Sequence, residues 1–150
     1  MVEMNEPGQA SGQLSGLEQA LGQRLGATSF SVSKLPAADA QTVPVLRISI
    51  ENREELPVFV TVSPSQILCI CYLWREAEIN PARRSEMHEA MLDLNVAIPL
   101  SHFGRIGQHY VIFGALATDA RVEDVAHDVV MLADNALEAL DVFAEYLLSV

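Results

Sequence analysis

Apolar residues dominate the stretch from residue 56 to residue 74, which has one polar break at Ser63-Pro64-Ser65. A proline in the second position of a tight turn already holds the φ that the turn requires, so the break predicts a turn. The two arms beside it therefore predict a β-hairpin. The second arm, residues 67–74, is apolar on both faces, which predicts that both of its faces are covered in the folded protein.

Before the hairpin, the spacing of apolar residues predicts one helix followed by two strands. Four leucines, three or four positions apart, form the apolar stripe of a helix that ends at Gly26. Ser15 and Glu18 have the spacing of a capping box at its start. Residues 28–33 and 43–51 alternate between apolar and polar side chains, which is typical of half-buried strands. The stripe of the helix consists of Leu14, Leu17, Leu21 and Leu25.

After the hairpin, the pattern predicts a helix, two strands and a long final helix. Asn80-Pro81 is a favourable start for the first of these helices, and Pro99 ends it. The strands cover residues 100–106 and 109–117, and the second is apolar on both faces, which predicts a central strand. The final helix is predicted from about residue 122 to residue 148. Its apolar seam consists of Val122, Val125, Val129, Leu132, Ala136, Leu140, Phe143 and Leu147.

These elements predict the order α-β-β-β-β-α-β-β-α. Short links between neighbouring strands favour antiparallel pairing, so the fold class is α+β, with a single antiparallel sheet and packed helices. A chain of 150 residues is typical of one domain. We therefore expect residues 14–150 to form that domain. Residues 1–13 are polar and lack periodicity, and we expect them to form a disordered tail.

The apolar arc of the final helix is wider than a single seam. Val130, Met131 and Leu137 lie beside the seam and widen the arc. Such surplus apolar surface is typical of contacts between protein chains. We therefore expect these three residues to form a dimer or partner surface, and we expect the chain to form a homodimer. The alternative is that Leu137 belongs to the core of its own subunit.

Acidic residues exceed basic ones, with 20 Asp and Glu against 9 Lys and Arg and a formal net charge of -11. Binding to nucleic-acid phosphates or anionic lipids requires a basic face, so neither partner is predicted. The acidity fits a protein that binds other proteins; alternatively, it only keeps the chain soluble. No apolar run is long enough for a membrane span. Residues 1–13 lack the features of a secretory signal, which predicts a cytoplasmic protein.

The two cysteines, Cys69 and Cys71, lie on the same face of one predicted strand. Strand geometry places their Cα atoms roughly 6.5–7 Å apart, a distance that is poor for a disulfide. A zinc site would need two further ligands, and the chain has no second pair of cysteines. Both cysteines are therefore predicted to be buried, inert core residues.

The four histidines show no metal-ligand spacing, and the chain contains neither a GxSxG elbow nor a phosphate-binding glycine loop. Arg83 and Arg84 are predicted to pair with Glu86 and Glu89, or with an acidic partner, rather than to bind phosphate. No catalytic residue, cofactor or metal is predicted, so we do not expect an enzyme. The alternative is a small enzyme or metabolite-binding protein with its site at the sheet edge. That site would draw on His88, His102, His109, Arg105, Cys69 and Cys71.

Two stretches, residues 98–104 (IPLSHFG) and residues 110–116 (YVIFGAL), carry a family resemblance. With the element order, they resemble the YjfI-like bacterial family of unknown function, with the fold of type III secretion chaperones and YbjN-like proteins. The resemblance implies a non-catalytic, dimeric, protein-binding protein, either chaperone-like or an adaptor. It also implies a candidate partner, a phage-shock-protein-A-like coiled-coil protein. It assigns no functional residue.

Overall fold

A computed structural model describes residues 14–22, 30–35, 44–51 and 53–149 of the chain. The tail expected at residues 1–13 lies outside these ranges, as do Leu25 and Gly26 at the predicted end of the first helix. Within the described ranges, the order of helices and strands confirms the predicted α+β class.

The described part of the chain contains three helices, six strands and turns of 3-10 helix. The first helix, α1, covers residues 14–22. The 3-10 turns are Glu76–Glu78, Pro81–Arg83 and Ala144–Tyr146. The remaining elements are β1 (Phe30–Lys34), β2 (Val45–Ile50), β3 (Val58–Val62), β4 (Ile67–Arg75), α2 (Arg84–Ala97), β5 (His102–Ile106), β6 (His109–Leu116) and α3 (Val122–Val142).

The six strands form one antiparallel sheet in the order β1-β2-β3-β4-β6-β5. The predicted hairpin is confirmed as β3 and β4, and its loop is closed by the Ser63 N–H, which donates to the Gln66 carbonyl over 2.9 Å. The predicted central position of the second late strand is also confirmed, because β6 lies between β4 and β5. Gly107 has a φ of 60° in the two-residue turn between β5 and β6, a conformation that favours glycine.

The core lies between one face of the sheet and the helices. Strand alternation directs Leu46 and Ile48 of β2 to this face, and both are fully buried. The seam of α3 packs over β3, β4 and β6 with the predicted side inward, and Phe143 follows it at the helix end. The largest fully buried side chains of this core are Phe143, Leu14, Leu21, Leu46, Ile48, Met87, Ile112 and Leu132.

The predicted extent of the last helix was wrong, because α3 ends at Val142 rather than near residue 148. The chain then turns, and Leu147 forms a β-bridge with Ile79. The Leu148 N–H donates to the Glu78 carbonyl over 2.8 Å. These bonds to the segment before α2 replace the hydrogen bonds that a longer helix would have made, while Phe143 remains buried.

Two local predictions at helix starts were also wrong. Ser15 lies inside α1 and not at its N-cap, because Leu14 is already helical. Arg84 pairs with Glu76 rather than with Glu89. The contact to Glu76 forms because the 3-10 turn before α2 brings this residue, eight positions earlier, against the first turn of the helix. The predicted pair of Arg83 with Glu86 is confirmed at 2.9 Å.

Candidate interaction surface and clefts

The sheet has a second face, which we call the open face. It is formed by the side chains that alternate away from the core. Phe59, Ile70 and Phe113 lie in register across β3, β4 and β6, and Tyr72 and Val111 lie in the next row on this side. None of these five residues belongs to the core that the helices share with the sheet. The helices described therefore cover one face of the sheet only.

Aromatic rings organise the open face. Tyr72 is 43% exposed and makes edge contacts with Phe59 and His109, with centroid distances of 5.8 and 5.6 Å. Ile70 and Val111 are only 8% and 2% exposed. The apolar part of this face lies on β3, β4 and β6, because β2 directs polar side chains to the same side. An apolar patch of this kind is typical of protein interaction sites.

The prediction that both faces of β4 are covered was therefore wrong for the described part of the chain. Cys69 and Cys71 face the core and are fully buried. Leu68 and Tyr72 face the opposite way and stay partly or largely exposed. The hydrophobicity of a strand does not show whether its faces are buried by helices of the same subunit or by another molecule. The described helices bury only one face of β4, although the pattern predicted two buried faces.

A polar cluster surrounds Tyr110 at the edge of the core. Its hydroxyl donates to Glu76 Oε2 over 2.6 Å, and His88 Nε2 lies 2.7 Å from the same hydroxyl. Arg84 and Arg105 both pair with Glu76, the latter at 3.3 Å. The Tyr110 hydrogen bond, followed by that of Arg84, lowers the pKa of the Glu76 carboxyl below its usual value. Burial lowers the pKa of His88.

This cluster holds two of the residues assigned to the alternative, enzymatic hypothesis. His88 and Arg105 meet here, whereas His102 and His109 lie elsewhere on β5 and β6. Tyr110 is only 2% exposed, and two arginines already neutralise Glu76. The cluster therefore stabilises the contact of α2 with the sheet. Sequence analysis missed Glu76 and Tyr110, because no motif links residues 34 positions apart.

A cleft of about 530 Å³ opens between the end of β6 and the start of α3. One of its lining residues, Asp128, is only 5% exposed although it carries a carboxyl group. Asp128 Oδ2 is buried and has no hydrogen-bond partner among the described residues. Sequence analysis missed this site, because Asp128 resembles the other acidic residues of α3. The full lining is Leu100, His102, Ala115, Leu116, Ala117, Ala120, Asp124, His127 and Asp128.

Gly114 of β6 makes room for the Asp128 carboxyl group. A Cβ atom at position 114 would lie 2.3 Å from Asp128 Oδ2, so only glycine fits beside the carboxylate in this position. The carboxyl group of Asp128 therefore packs closely against the backbone of β6. On the neighbouring strand, the Cys69 thiol also interacts with Asp128, although a thiol is a weak donor. Burial has the largest effect on Asp128 and raises its pKa above the usual value. Cys69, His127 and His102 have smaller effects that lower it.

The wild-type protein is expected to lose stability relative to Asp128→Asn as the pH rises. Because the native pKa is raised, the native state binds the proton of Asp128 more tightly than the unfolded chain does. Below about 3.9, the pKa of an aspartate in the unfolded chain, Asp128 is protonated in both states and does not lower the free energy of unfolding. Above the native pKa, a buried charge destabilises the native state. Urea unfolding of both proteins at a series of pH values measures the difference, and a difference that grows in favour of the wild type would contradict this.

Both thiols are expected to react slowly in the native protein. Cys69 and Cys71 are fully buried. Burial raises the pKa of Cys71 to about 12. Burial also raises the pKa of Cys69, and the nearby charge of Asp128 raises it further. Little reactive thiolate is therefore present at neutral pH. Labelling by a thiol reagent should be complete within minutes in denaturant and at least a hundredfold slower without it; similar rates in both conditions would contradict the prediction.

The three residues predicted as a surface on α3 do not lie together. Val130 and Leu137 are seven positions apart and so share one flank of the helix, while Met131 lies about 100° further around the axis. Val130 packs partly against the core, and Leu137 is 43% exposed. Leu137 is therefore the residue of the three that is most available to another chain.

The DUF2170 family, described as an uncharacterised protein conserved in bacteria, matches residues 14–147. This chain belongs to the DUF2170 family. The YjfI proteins of Escherichia coli K12 and O157:H7 are each 26% identical to it over 126 residues, which covers 73% of this chain and 92% of YjfI. The predicted resemblance to the YjfI-like family is thus confirmed.

Solved structures with a similar fold include YbjN from E. coli, with a TM-score of 0.60 and 14% identity over 99% of both chains. The Yersinia pestis type III secretion chaperone SycH, in complex with a fragment of YscM2, has a TM-score of 0.52 and 16% identity, covering 83% of this chain and 97% of SycH. A chain of the ExsC–ExsE complex has a TM-score of 0.54 and 10% identity, covering 85% of this chain and 92% of that chain. These likenesses confirm the predicted fold of this DUF2170 protein.

Two features are absent from the described part of the DUF2170 chain. No helix in the described ranges is long and apolar enough to cross a membrane. Within the same ranges, no group of three or more His, Cys, Asp or Glu side chains converges as metal ligands would. In particular, the histidines and carboxylates around the Asp128 cleft do not converge on one point.

Proposed function

We propose that this DUF2170 chain is a non-catalytic protein-binding protein of the bacterial cytoplasm, chaperone-like or an adaptor, and that it acts as a homodimer. The open face is the observation that carries the proposal. The fold supports it, since SycH and a chain of the ExsC–ExsE complex adopt this fold in complexes with other proteins. A phage-shock-protein-A-like coiled-coil protein is the partner that the family resemblance suggests.

The charge distribution supports a second copy of the chain as the occupant of the open face. None of the six strands contains an Asp or Glu residue, although the chain carries 20 of them. Two copies with a formal charge of -11 each would repel one another through most of their surface. The sheet is where they can meet without placing carboxylates opposite each other. A two-fold contact between identical faces also produces a closed dimer.

The size of the open face is adequate for such a contact. Six strands about 4.8 Å apart and about five residues long span about 29 by 17 Å, or roughly 500 Å² in flat projection. Side-chain relief makes the accessible area larger than the projection. A specific interface takes about 800 Å² from each partner, which exceeds the flat projection, so a stable dimer would use the whole face and surface beside it.

Replacing Tyr72 by glutamate is expected to convert the dimer to a monomer. The substitution places a charge at the centre of the proposed contact, where it would be buried without a partner. Light scattering should give twice the chain mass of 16.4 kDa for the wild type and a single chain mass for Tyr72→Glu at the same concentration. We expect the dimer dissociation constant to rise at least tenfold.

Leu137→Glu is the matched control, because Leu137 is also 43% exposed but lies on α3. This variant should remain dimeric. A monomeric wild type would show that the dimer proposal is wrong. A dimer that is lost with Leu137→Glu and retained with Tyr72→Glu would place the interface on the flank of α3 instead.

A further inference from the structure

The Asp128 cleft combines apolar walls with an acidic floor. Its upper wall is formed by aliphatic side chains, and Leu100 at the rim is 48% exposed. Asp128 and Asp124, one helical turn apart on α3, both line the cleft, and Asp128 is the buried one of the two. The cleft volume of about 530 Å³ is within the range of ligand-binding pockets. The aliphatic wall consists of Leu100, Ala115, Leu116, Ala117 and Ala120.

Asp128 lacks a partner that its burial requires. Buried carboxylates in proteins are normally paired with a cation or hydrogen-bonded at both oxygens. Here Oδ2 has neither among the described residues, and the thiol of Cys69 is the donor nearest to the group. Gly114 leaves space for the carboxylate at this position. A buried acid that destabilises its own fold, in a cleft, is typical of a binding site.

We propose that this cleft binds a primary ammonium group, presented as a lysine side chain by a partner polypeptide. The ammonium would approach the carboxylate of Asp128, while the aliphatic wall would contact the four methylene groups of lysine. An anion would be repelled by the two carboxylates. A guanidinium group is less suited, because its planar fork requires two oxygens side by side and Oδ2 of Asp128 is buried, whereas an ammonium group needs only one oxygen.

The other charged groups around the cleft set the conditions for binding. His102 and His127 line it. Arg121 lies 3.9 Å from Asp124 in an exposed pair. Such a pair is weak, and it leaves Asp128 without a cation. Because the ammonium group binds the charged carboxylate, binding should be strongest above the pH range in which Asp128 titrates.

The proposal that a partner polypeptide presents the lysine rests on the proposed protein-binding function. The ammonium site itself rests on the geometry of the cleft alone. The test uses the full chain labelled with ¹⁵N and ¹³C, and three probes. The first is the capped peptide Ala-Ala-Lys-Ala-Ala, the second is the same peptide with norleucine in place of lysine, and the third is n-butylammonium. Amide shifts at Ala115, Ala117 and His127 report occupancy, and the side-chain carboxyl shift of Asp128 reports its pKa.

We expect the lysine peptide to give saturable shifts and to bind at least tenfold more tightly than the norleucine peptide. It should lower the pKa of Asp128, because a bound cation favours the charged carboxylate. Asp128→Asn should weaken binding at least tenfold and Asp124→Asn about threefold, while Asp141→Asn, on the exposed side of α3, should have no effect. If Asp128→Asn does not fold, the Asp124 variant and the pKa change decide the test.

Equal binding of the norleucine peptide, the absence of saturable shifts with any probe, or an unchanged pKa of Asp128 would overturn the ammonium site. Butylammonium that binds as tightly as the lysine peptide would support the site and overturn the polypeptide source. Repeating the titration with Tyr72→Glu separates the two proposals. Lysine binding by that variant would support the cleft whatever the state of the dimer, and its loss would overturn the cleft as an independent site.

Discussion

Phe143→Ala is expected to lower the free energy of unfolding by about 3–5 kcal/mol. Phe143 is fully buried at the end of α3. Its ring packs against three aromatic side chains, with centroid distances of 5.5 Å to Trp74, 5.2 Å to Phe103 and 5.6 Å to Tyr146. Removing the ring leaves a cavity where the sheet, α3 and the C-terminal turn meet, and rigid elements on several sides limit how far the cavity can collapse.

Glu138→Ala is the control for this prediction, because Glu138 is exposed on the other side of α3. It should change the free energy of unfolding by less than about 0.5 kcal/mol. Urea unfolding followed by circular dichroism, with a common m-value for the three proteins, measures both effects. Equal losses for the two variants would show that the buried side of α3 is wrongly assigned.

Gly114→Ala is expected to destabilise the protein by about 1–3 kcal/mol, as overpacking in a core does. The new methyl group would lie 2.3 Å from Asp128 Oδ2 and 2.8 Å from Oδ1, closer than atoms can approach. The carboxylate must then move, although it is buried between α3 and the sheet. Unfolding in urea at pH 7 measures the loss.

A double-mutant cycle with Asp128→Ala tests the cause of this loss. If the carboxylate is the obstacle, Gly114→Ala should cost little in the Asp128→Ala background, and the coupling should exceed about 0.5 kcal/mol. Gly16→Ala is the control for a generic glycine effect. Position 16 is helical with open space around it, so this change should stabilise the protein by up to about 1 kcal/mol. Additive losses at Gly114 and Asp128 would contradict the steric explanation.

The local pattern of the sequence was sufficient to place most elements. Alternation at Leu46, Ile48 and Ile50 predicts both a strand and its buried side, since successive side chains of a strand point to opposite faces. Helical spacing likewise predicts the buried side of α3, where Val125, Val129 and Leu132 are fully buried. Backbone geometry fixes these periods, so residues close in sequence carry the information.

The ends of elements depended on contacts that are distant in sequence. The apolar spacing of α3 continues through Phe143 to Leu147, and periodicity alone predicts a longer helix. The helix stops at Val142 because the following residues bond to the segment around Ile79, more than 60 positions earlier in the chain. A pattern within one element does not contain the hydrogen bonds that another element offers.

The functional surfaces were decided by the tertiary structure. The sequence by itself determined that β4 is apolar on both faces, that the strands are free of carboxylates and that the chain is acidic. Only the fold decided that the helices pack on one face and leave Tyr72 and Phe59 on the other. It also decided that Gly114 lies under Asp128. The physical reason is that periodicity specifies which side chains share a face, whereas burial and the pairing of charges depend on which faces of distant elements meet.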